Sequence, residues 1–336
     1  MMDLPAGQVE GEVGGQAAPT PREEARLCIW VVPHTHWDRE WYLPFEQLRI
    51  RLARVVDDLL DILERQPDFV FTLDGQTVVL EDYLEVRPER EERLRRHLAS
   101  GRIAVGPWYV LADEFLVGQE SLIRNLLMGR LTCARLGALP MAVGYAPDTF
   151  GHVAQLPQIL RGFGIDSFVF WRGLGDEADR LGAVFHWRAP DGSHVLAVRM
   201  LGSYAAARDL GRWTSGDGPM LDRPDLWPDA AARRVLEFLE RWGEPIRRSG
   251  LRDVLLSSGN DHQPAQGDLL EMLAACRARI PRMDFRVATF EGYVDALRWR
   301  LGEQQEHAGE LLGGREACVV RGVNSTRIYL KQANEA

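Results

Sequence analysis

From residue 27 onward the chain alternates short apolar runs with longer amphipathic stretches, and this rhythm constrains its fold more than any other feature. Cys28-Ile29-Trp30-Val31-Val32 is a compact apolar run stopped by Pro33, the pattern of a strand buried on both faces. The stretch 46–66 follows, with Leu48, Leu52, Val55, Leu59 and Leu63 spaced by three and four, which is one face of a helix. Phe69-Val70-Phe71-Thr72-Leu73 reads as the next strand, and 89–99 as a charged helix closed by Gly101. Further strands are predicted at 102–106, 142–145, 167–171, 195–200 and 254–257, and helices at 119–136, 156–162, 230–242, 268–279 and 290–301. Residues 206–228 read as one long irregular loop. Such alternation implies an α/β fold in which helices cover a mainly parallel sheet, open or closed into a barrel. Ligand chemistry then collects where the strands end.

Composition narrows the classes. The 32 Gly and 18 Pro among 336 residues are close to the globular norm, so collagen-like or wholly disordered chains are excluded. A net charge of −9 without basic blocks argues against a general nucleic-acid binder. No run approaches the roughly 18 apolar residues of a membrane span. Residues 1–26 lack a basic segment followed by an apolar one, and read as a mobile leader rather than a secretory signal. Cys28, Cys133, Cys276 and Cys318 form no CxxC pair, which argues against a thiolate zinc site and for a reducing, cytoplasmic compartment.

The strand ends hold the chemistry. After Pro33 comes His34-Thr35-His36-Trp37-Asp38, and period two places His34, His36 and Asp38 on one face. Imidazole and carboxylate are ligands for zinc or a similar divalent ion. The bland alternative is a polar strand end with hydrogen-bonded histidines. Asp148 follows the fourth strand and, taken alone, could equally cap a helix or close a turn. Asp261 lies in the turn-like Gly259-Asn260-Asp261-His262, and Arg172 directly follows the strand ending at Trp171. The third strand leads to Asp113-Glu114. Ionisable groups at so many strand ends cost desolvation, which an enzyme site justifies and a structural protein rarely does. His97 is expected to be solvated on its charged helix; His186, His194 and His307 have no partners at ligand spacing.

HTHWDREW at 34–41, APDTFGH at 146–152, FVFWRG at 168–173 and SSGNDHQ at 257–263 together resemble glycoside hydrolase family 38, the α-mannosidases, and especially its bacterial mannosylglycerate hydrolase-like branch. FTLDGQTVVLEDYLEV at 71–86, GPWYVLADEFL at 106–116 and GVNSTRIYLKQAN at 322–334 support it. The resemblance implies a seven-stranded (β/α) barrel over 27–303, then a linker and the start of a helical bundle over 304–336. It implies a retaining, zinc-dependent α-mannosidase acting through a covalent mannosyl-aspartate. His36, Asp38 and Asp148 would hold one Zn2+, Asp148 would also be the nucleophile, and Asp261 the general acid/base. Trp41 and Phe150 would line the sugar subsite, Arg172 would sit beside Asp148, and His34 would neighbour the ligands without being one. A retaining glycosidase uses two carboxyl groups about 5–5.5 Å apart. The attacking one must be ionised, which a nearby cation and Arg172 favour, while Asp261 is expected in a less charged, partly buried place.

The family's fourth zinc ligand is a downstream histidine, and after His262 this chain has only His307, outside any matching motif. The expectation is therefore an N-terminal portion of a longer enzyme, weakly active or inactive alone, to be completed by a missing C-terminal segment or a homo-oligomeric partner, acting on an α-mannoside or mannosyl-glycerate. Two other readings stay open: a metal-dependent polysaccharide deacetylase, and a non-catalytic fragment that binds sugar or metal.

Overall fold

The structure, a computed structural model, describes residues 26–211 and 227–335. The expected leader (apart from Arg26) and most of the expected loop 206–228 lie outside these residues. Strands are β1 (Leu27–Pro33), β2 (Phe71–Thr72), β3 (Ile103–Ala104), β4 (Gly144–Ala146), β5 (Ser167–Phe170), β6 (Val184–Arg188), β7 (His194–Arg199), β8 (Asp253–Ser258), β9 (Met283–Val287) and β10 (Glu306–Ala308). Helices are α1 (Phe45–Arg65), α2 (Val78–Val86), α3 (Glu91–Ala99), α4 (Gln119–Arg135), α5 (Leu156–Gly162), α6 (Ala178–Leu181), α7 (Trp227–Arg248), α8 (Leu269–Arg279), α9 (Phe290–Arg298) and α10 (Ile328–Glu335). No described helix is long and apolar enough to cross a membrane.

The alternation therefore produces an α/β fold. β1 is buried from Cys28 to Pro33 because it has a parallel partner on each side: Cys28–Pro33 run in register with Asp253–Ser258, and Leu27–Val31 with Met283–Val287. An apolar run without polar alternation is what such a central parallel strand requires. α1 buries Leu48, Leu52, Val55, Leu59 and Leu63, the stripe its spacing predicts.

The closed seven-stranded barrel is not what the ladders form. They make three separate sheets, ordered β8-β1-β9, β10-β6-β7-β5-β4 and β2-β3, and β6 runs antiparallel to β7. The regular ladder of β2 and β3 covers two residues only, and irregular contacts carry the pairing on, with Gly106 N–H donating to Asp74 O (2.9 Å) and Trp108 N–H to Gly75 O (3.1 Å). One short bridge, His34 with Thr72, joins the β1 sheet to the β2–β3 pair, while Gln76 with Trp108 and His36 with Asp261 extend the β2–β3 and β1–β8 pairings past their carboxyl ends.

His97 is not solvated; it is 8% exposed, with α3 turning it inward beside Leu94 and Leu98. Residues 306–319, within the 304–336 expected to hold a linker and the start of a helical bundle, pack along the mixed sheet. β10 pairs with β6, Leu311 with His152, and Gly313 with Gly173. Glu316 reaches the buried Arg199 at 2.5 Å.

Candidate active site

Parallel strands deliver the site from their carboxyl ends. β1 leads into His36 and Asp38, β2 into Asp74, β4 into Asp148, β5 into Arg172 and β8 into Asp261. Gly259 makes the meeting of β1 and β8 possible: a Cβ there would lie 2.0 Å from the His34 carbonyl oxygen. With that approach open, His36 N–H donates to Asn260 O (3.2 Å) and His262 N–H to His36 O (2.8 Å), which sets Asp261 beside His36.

Ligand atoms of His36, Asp38 and Asp261 lie within 4.8 Å of one another. This group differs in one member from the expected His36, Asp38 and Asp148. Asp148 borders it electrostatically, but its Oδ1 is engaged by Arg172, at 2.8 Å from Nε and 2.6 Å from the second guanidinium nitrogen. Asp261 is the residue that backbone pairing brings to His36. The donor set suits a divalent cation: His36 turns Nε2 to Asp38 at 3.5 Å and leaves its buried Nδ1 on the other side. Asp74 stands 3.4 Å from that nitrogen and is itself fully buried, accepting hydrogen bonds from Trp37 N–H, Gly75 N–H and Gln76 Nε2. A carboxylate fixed behind a ligand histidine orients the ring.

The charges of the site are coupled. Burial opposes a charged His36, yet Asp74 and Asp38 outweigh it and hold the imidazole pKa well above its usual range. Burial would also raise Asp38, but the His36 hydrogen bond and charge overcome it and leave that carboxyl below its ordinary value. Asp148 goes the other way: burial is the largest influence and lifts it above its ordinary value, although Arg172 and His36 pull it down. Arg172 and a neighbouring cation thus act in the expected direction, against the larger opposing effect of desolvation. His34 is held neutral by burial, with its pKa lowered to about 4; Nε2 donates to the Tyr204 carbonyl and Nδ1 accepts from the Tyr145 hydroxyl. Both its nitrogens are thus engaged within the protein.

Asp261 is half-buried, as expected, but not in a less charged place, since it shares the His36–Asp38 group. Tyr204, which sequence reasoning missed, donates its hydroxyl to Asp261 Oδ1 at 2.8 Å and packs its ring 5.6 Å from His36. A cleft of about 280 Å³ opens here, lined by His36, Asp38, Asp113, Asp148 and Phe150. Phe150 also lies beneath the Arg172 guanidinium, 4.5 Å from its ring centroid. Trp41 does not line the cleft; it is 73% exposed, because the chain turns outward after Asp38. Trp37, by contrast, is buried against His262.

Residues 26–310 match the Glycosyl hydrolases family 38 N-terminal domain. The chain belongs to this family. A Halalkalibacterium halodurans protein, provisionally named a mannosylglycerate hydrolase, is 34% identical over 319 residues, 91% of this chain and 34% of that one. Alpha-mannosidase G of Dictyostelium discoideum is 28% identical over 247 residues, 64% of this chain and 22% of that one. Among solved structures, an alpha-mannosidase from Enterococcus faecalis V583 superposes with a TM-score of 0.73 at 32% identity, covering 85% of this chain and 31% of that one. The chain thus spans about a third, or less, of the length of these family 38 relatives.

Proposed function

We propose that this family 38 domain carries the catalytic groups of a retaining α-mannosidase, with Asp148 as nucleophile and Asp261 as general acid/base. The observation that carries the reading is that His36, Asp38 and Asp148 line one cleft, with Arg172 paired to Asp148 and Asp261 grouped with His36 and Asp38, the residues coming from strands of two different sheets. Asp148 attacks the anomeric carbon as the glycosidic bond breaks, and Asp261 gives its proton to the leaving oxygen. Asp261 then takes a proton from the water that hydrolyses the mannosyl-aspartate ester. Arg172 keeps one Asp148 oxygen fixed and favours the ionised, attacking form. Tyr204 holds Asp261 by its hydroxyl, and Phe150 offers an apolar wall to the sugar.

His36 and Asp38, with Asp148 and Asp261 adjoining, would hold a divalent ion such as zinc. When bound, that ion supplies Lewis-acid polarisation of sugar hydroxyls. The substrate class is an α-mannoside, including mannosyl-glycerate, as the relatives' names suggest. Three buried free cysteines and one exposed fit a reducing compartment such as the cytoplasm. The deacetylase reading is not favoured, because the matched family and the relatives at similar identity are mannosidases.

The test is hydrolysis of an aryl α-mannoside by the polypeptide, with the first-formed sugar followed by proton NMR. Initial release of α-mannose supports the reading. Initial β-mannose, or acetate release from an acetylated glycan without glycosidic cleavage, refutes it.

A further inference from the structure

The loop that carries Asp148 is fastened from behind by a buried pair outside the cleft. Glu114 is 6% exposed and His152 fully buried. His152 Nδ1 donates to Glu114 Oε1 at 2.7 Å, and Glu114 Oε2 accepts the Val153 N–H at 2.8 Å. One carboxylate therefore grips two consecutive residues, four and five positions past Asp148.

The rest of the surroundings fix the same point. The His152 ring stands nearly perpendicular to Phe168 and Phe170, with centroids at 4.8 and 5.5 Å. Its backbone exchanges two hydrogen bonds with Leu311, each 2.9 Å. Gly151 sits at φ +97, and a Cβ there would meet the Leu311 carbonyl oxygen at 2.9 Å. Between the end of β4 and the start of α5 the chain has no regular ladder of its own. Arg172 holds the Asp148 carboxylate itself, and Glu114 holds the far end of its loop.

A buried carboxylate and imidazole each cost desolvation, and an apolar pair of similar volume would close the turn at least as cheaply. What an apolar pair lacks is direction: two hydrogen bonds from one rigid carboxylate fix both distance and angle. We infer that Glu114 and His152 form a positioning pair, which sets where Asp148 stands relative to Asp261 without touching substrate. This rests on the reading of Asp148 as nucleophile. A displacement of about 1 Å at a reacting group can cost about 10²-fold in rate.

Two variants break the pair and two conserve it. Glu114→Ala removes both acceptors, and His152→Phe keeps an aromatic ring without the donor. Glu114→Gln still accepts from Val153 and can donate to Nδ1, while His152→Asn places an amide N–H where Nδ1–H was. The full polypeptide is read in two ways: steady-state kinetics on an aryl α-mannoside, and amide hydrogen exchange of peptide 147–155 with β1 as internal reference. The breaking variants should lower kcat by about 10²-fold with KM within about threefold. Exchange in 147–155 should quicken by about tenfold or more while β1 stays unchanged. The conserving variants should recover most of both. Wild-type kcat and exchange in Glu114→Ala and His152→Phe would overturn the inference. So would an exchange increase spread equally over β1, which marks general destabilisation, or failure of both conserving variants to recover. If the wild-type polypeptide cleaves no α-mannoside, the reaction falls and the exchange arm alone decides whether the pair fixes the loop.

Discussion

Asp261 and Asp148 come to the His36–Asp38 group from two differently built regions. Asp261 follows β8, which lies in an all-parallel sheet against the buried β1, and His36 and Asp38 extend the same β1. There, adjacent ladders place both sides of the site almost unaided. Asp148 follows β4, a three-residue edge strand of the mixed sheet, and its loop depends on groups far away in sequence. Arg172 is steadied by the Cys318 carbonyl at 2.8 Å, and the loop by Leu311 and Glu114. One carboxylate is set by the sheet, the other by side chains and a returning strap. Distant substitutions should therefore matter on the Asp148 side more than on the Asp261 side.

The largest effect expected is at the carboxylates themselves. Asp148→Asn should lower kcat/KM on the order of 10⁴-fold, for good and poor leaving groups alike. Asp261→Asn should cost about 10²–10³-fold with a poor leaving group and far less with an activated aryl group, which needs little protonation. Equal sensitivity of both variants to the leaving group would erase the assigned difference in roles.

The strap comes next. A Cβ on Gly313 would lie 1.9 Å from Gly175 N, backbone against backbone, so Gly313→Ala should destabilise the fold by about 2–4 kcal/mol in a denaturant titration. Gly322→Ala, with nothing within 4 Å of its added methyl, is the control and should stay within about 0.5 kcal/mol. Similar midpoints for the two variants would show that the strap contributes little.

A smaller effect concerns pH. In the proposed role Asp148 would attack only when ionised, and Arg172 lowers its pKa against a larger raising influence of burial. In Arg172→Met the lowering is lost, the carboxyl titrates higher, and the acidic limb of kcat/KM should move to higher pH. A limb that stays in place or moves to lower pH would contradict the assignment.

The smallest effect is chemical labelling. Burial pushes the Cys28 and Cys276 thiols up to about 11 and Cys133 to about 12, whereas Cys318 is exposed. A neutral-pH alkylating reagent should modify Cys318 first and leave the other three to unfolding. Early labelling of Cys133 would reveal opening beside α4.

The same contrast explains what could be read from the sequence. His36, Asp38 and Asp261 belong to short contiguous motifs at the ends of long buried strands, so apolar runs and motif spacing located them. Asp148 and Arg172 were legible as residues, but not the balance that raises Asp148, which depends on burial by the assembled loop. Asp74 and Tyr204 were missed: Asp74 follows a strand of two ladder residues, and Tyr204 follows β7 in a turn without periodicity. FTLDGQTVVLEDYLEV contains α2, a helix that the reading of its motif left unassigned. Residues 306–319 looked like a polar linker because their pairing to β6, His152 and Gly173 is entirely long-range. Trp41, expected from its motif to line the sugar subsite, is solvent-exposed and outside the residues that line the cleft.

The central claim is that Asp148 bonds covalently to the sugar while Asp261 handles the proton. The most direct measurement is peptide mapping by mass spectrometry after incubation with a fluorinated mannosyl fluoride that forms the glycosyl-enzyme faster than it is hydrolysed. The account predicts a fluoromannosyl adduct on the peptide containing Asp148, absent in Asp148→Asn and still formed in Asp261→Asn. An adduct on Asp261, or steady cleavage of α-mannosides with Asp148 replaced by Asn, would contradict it.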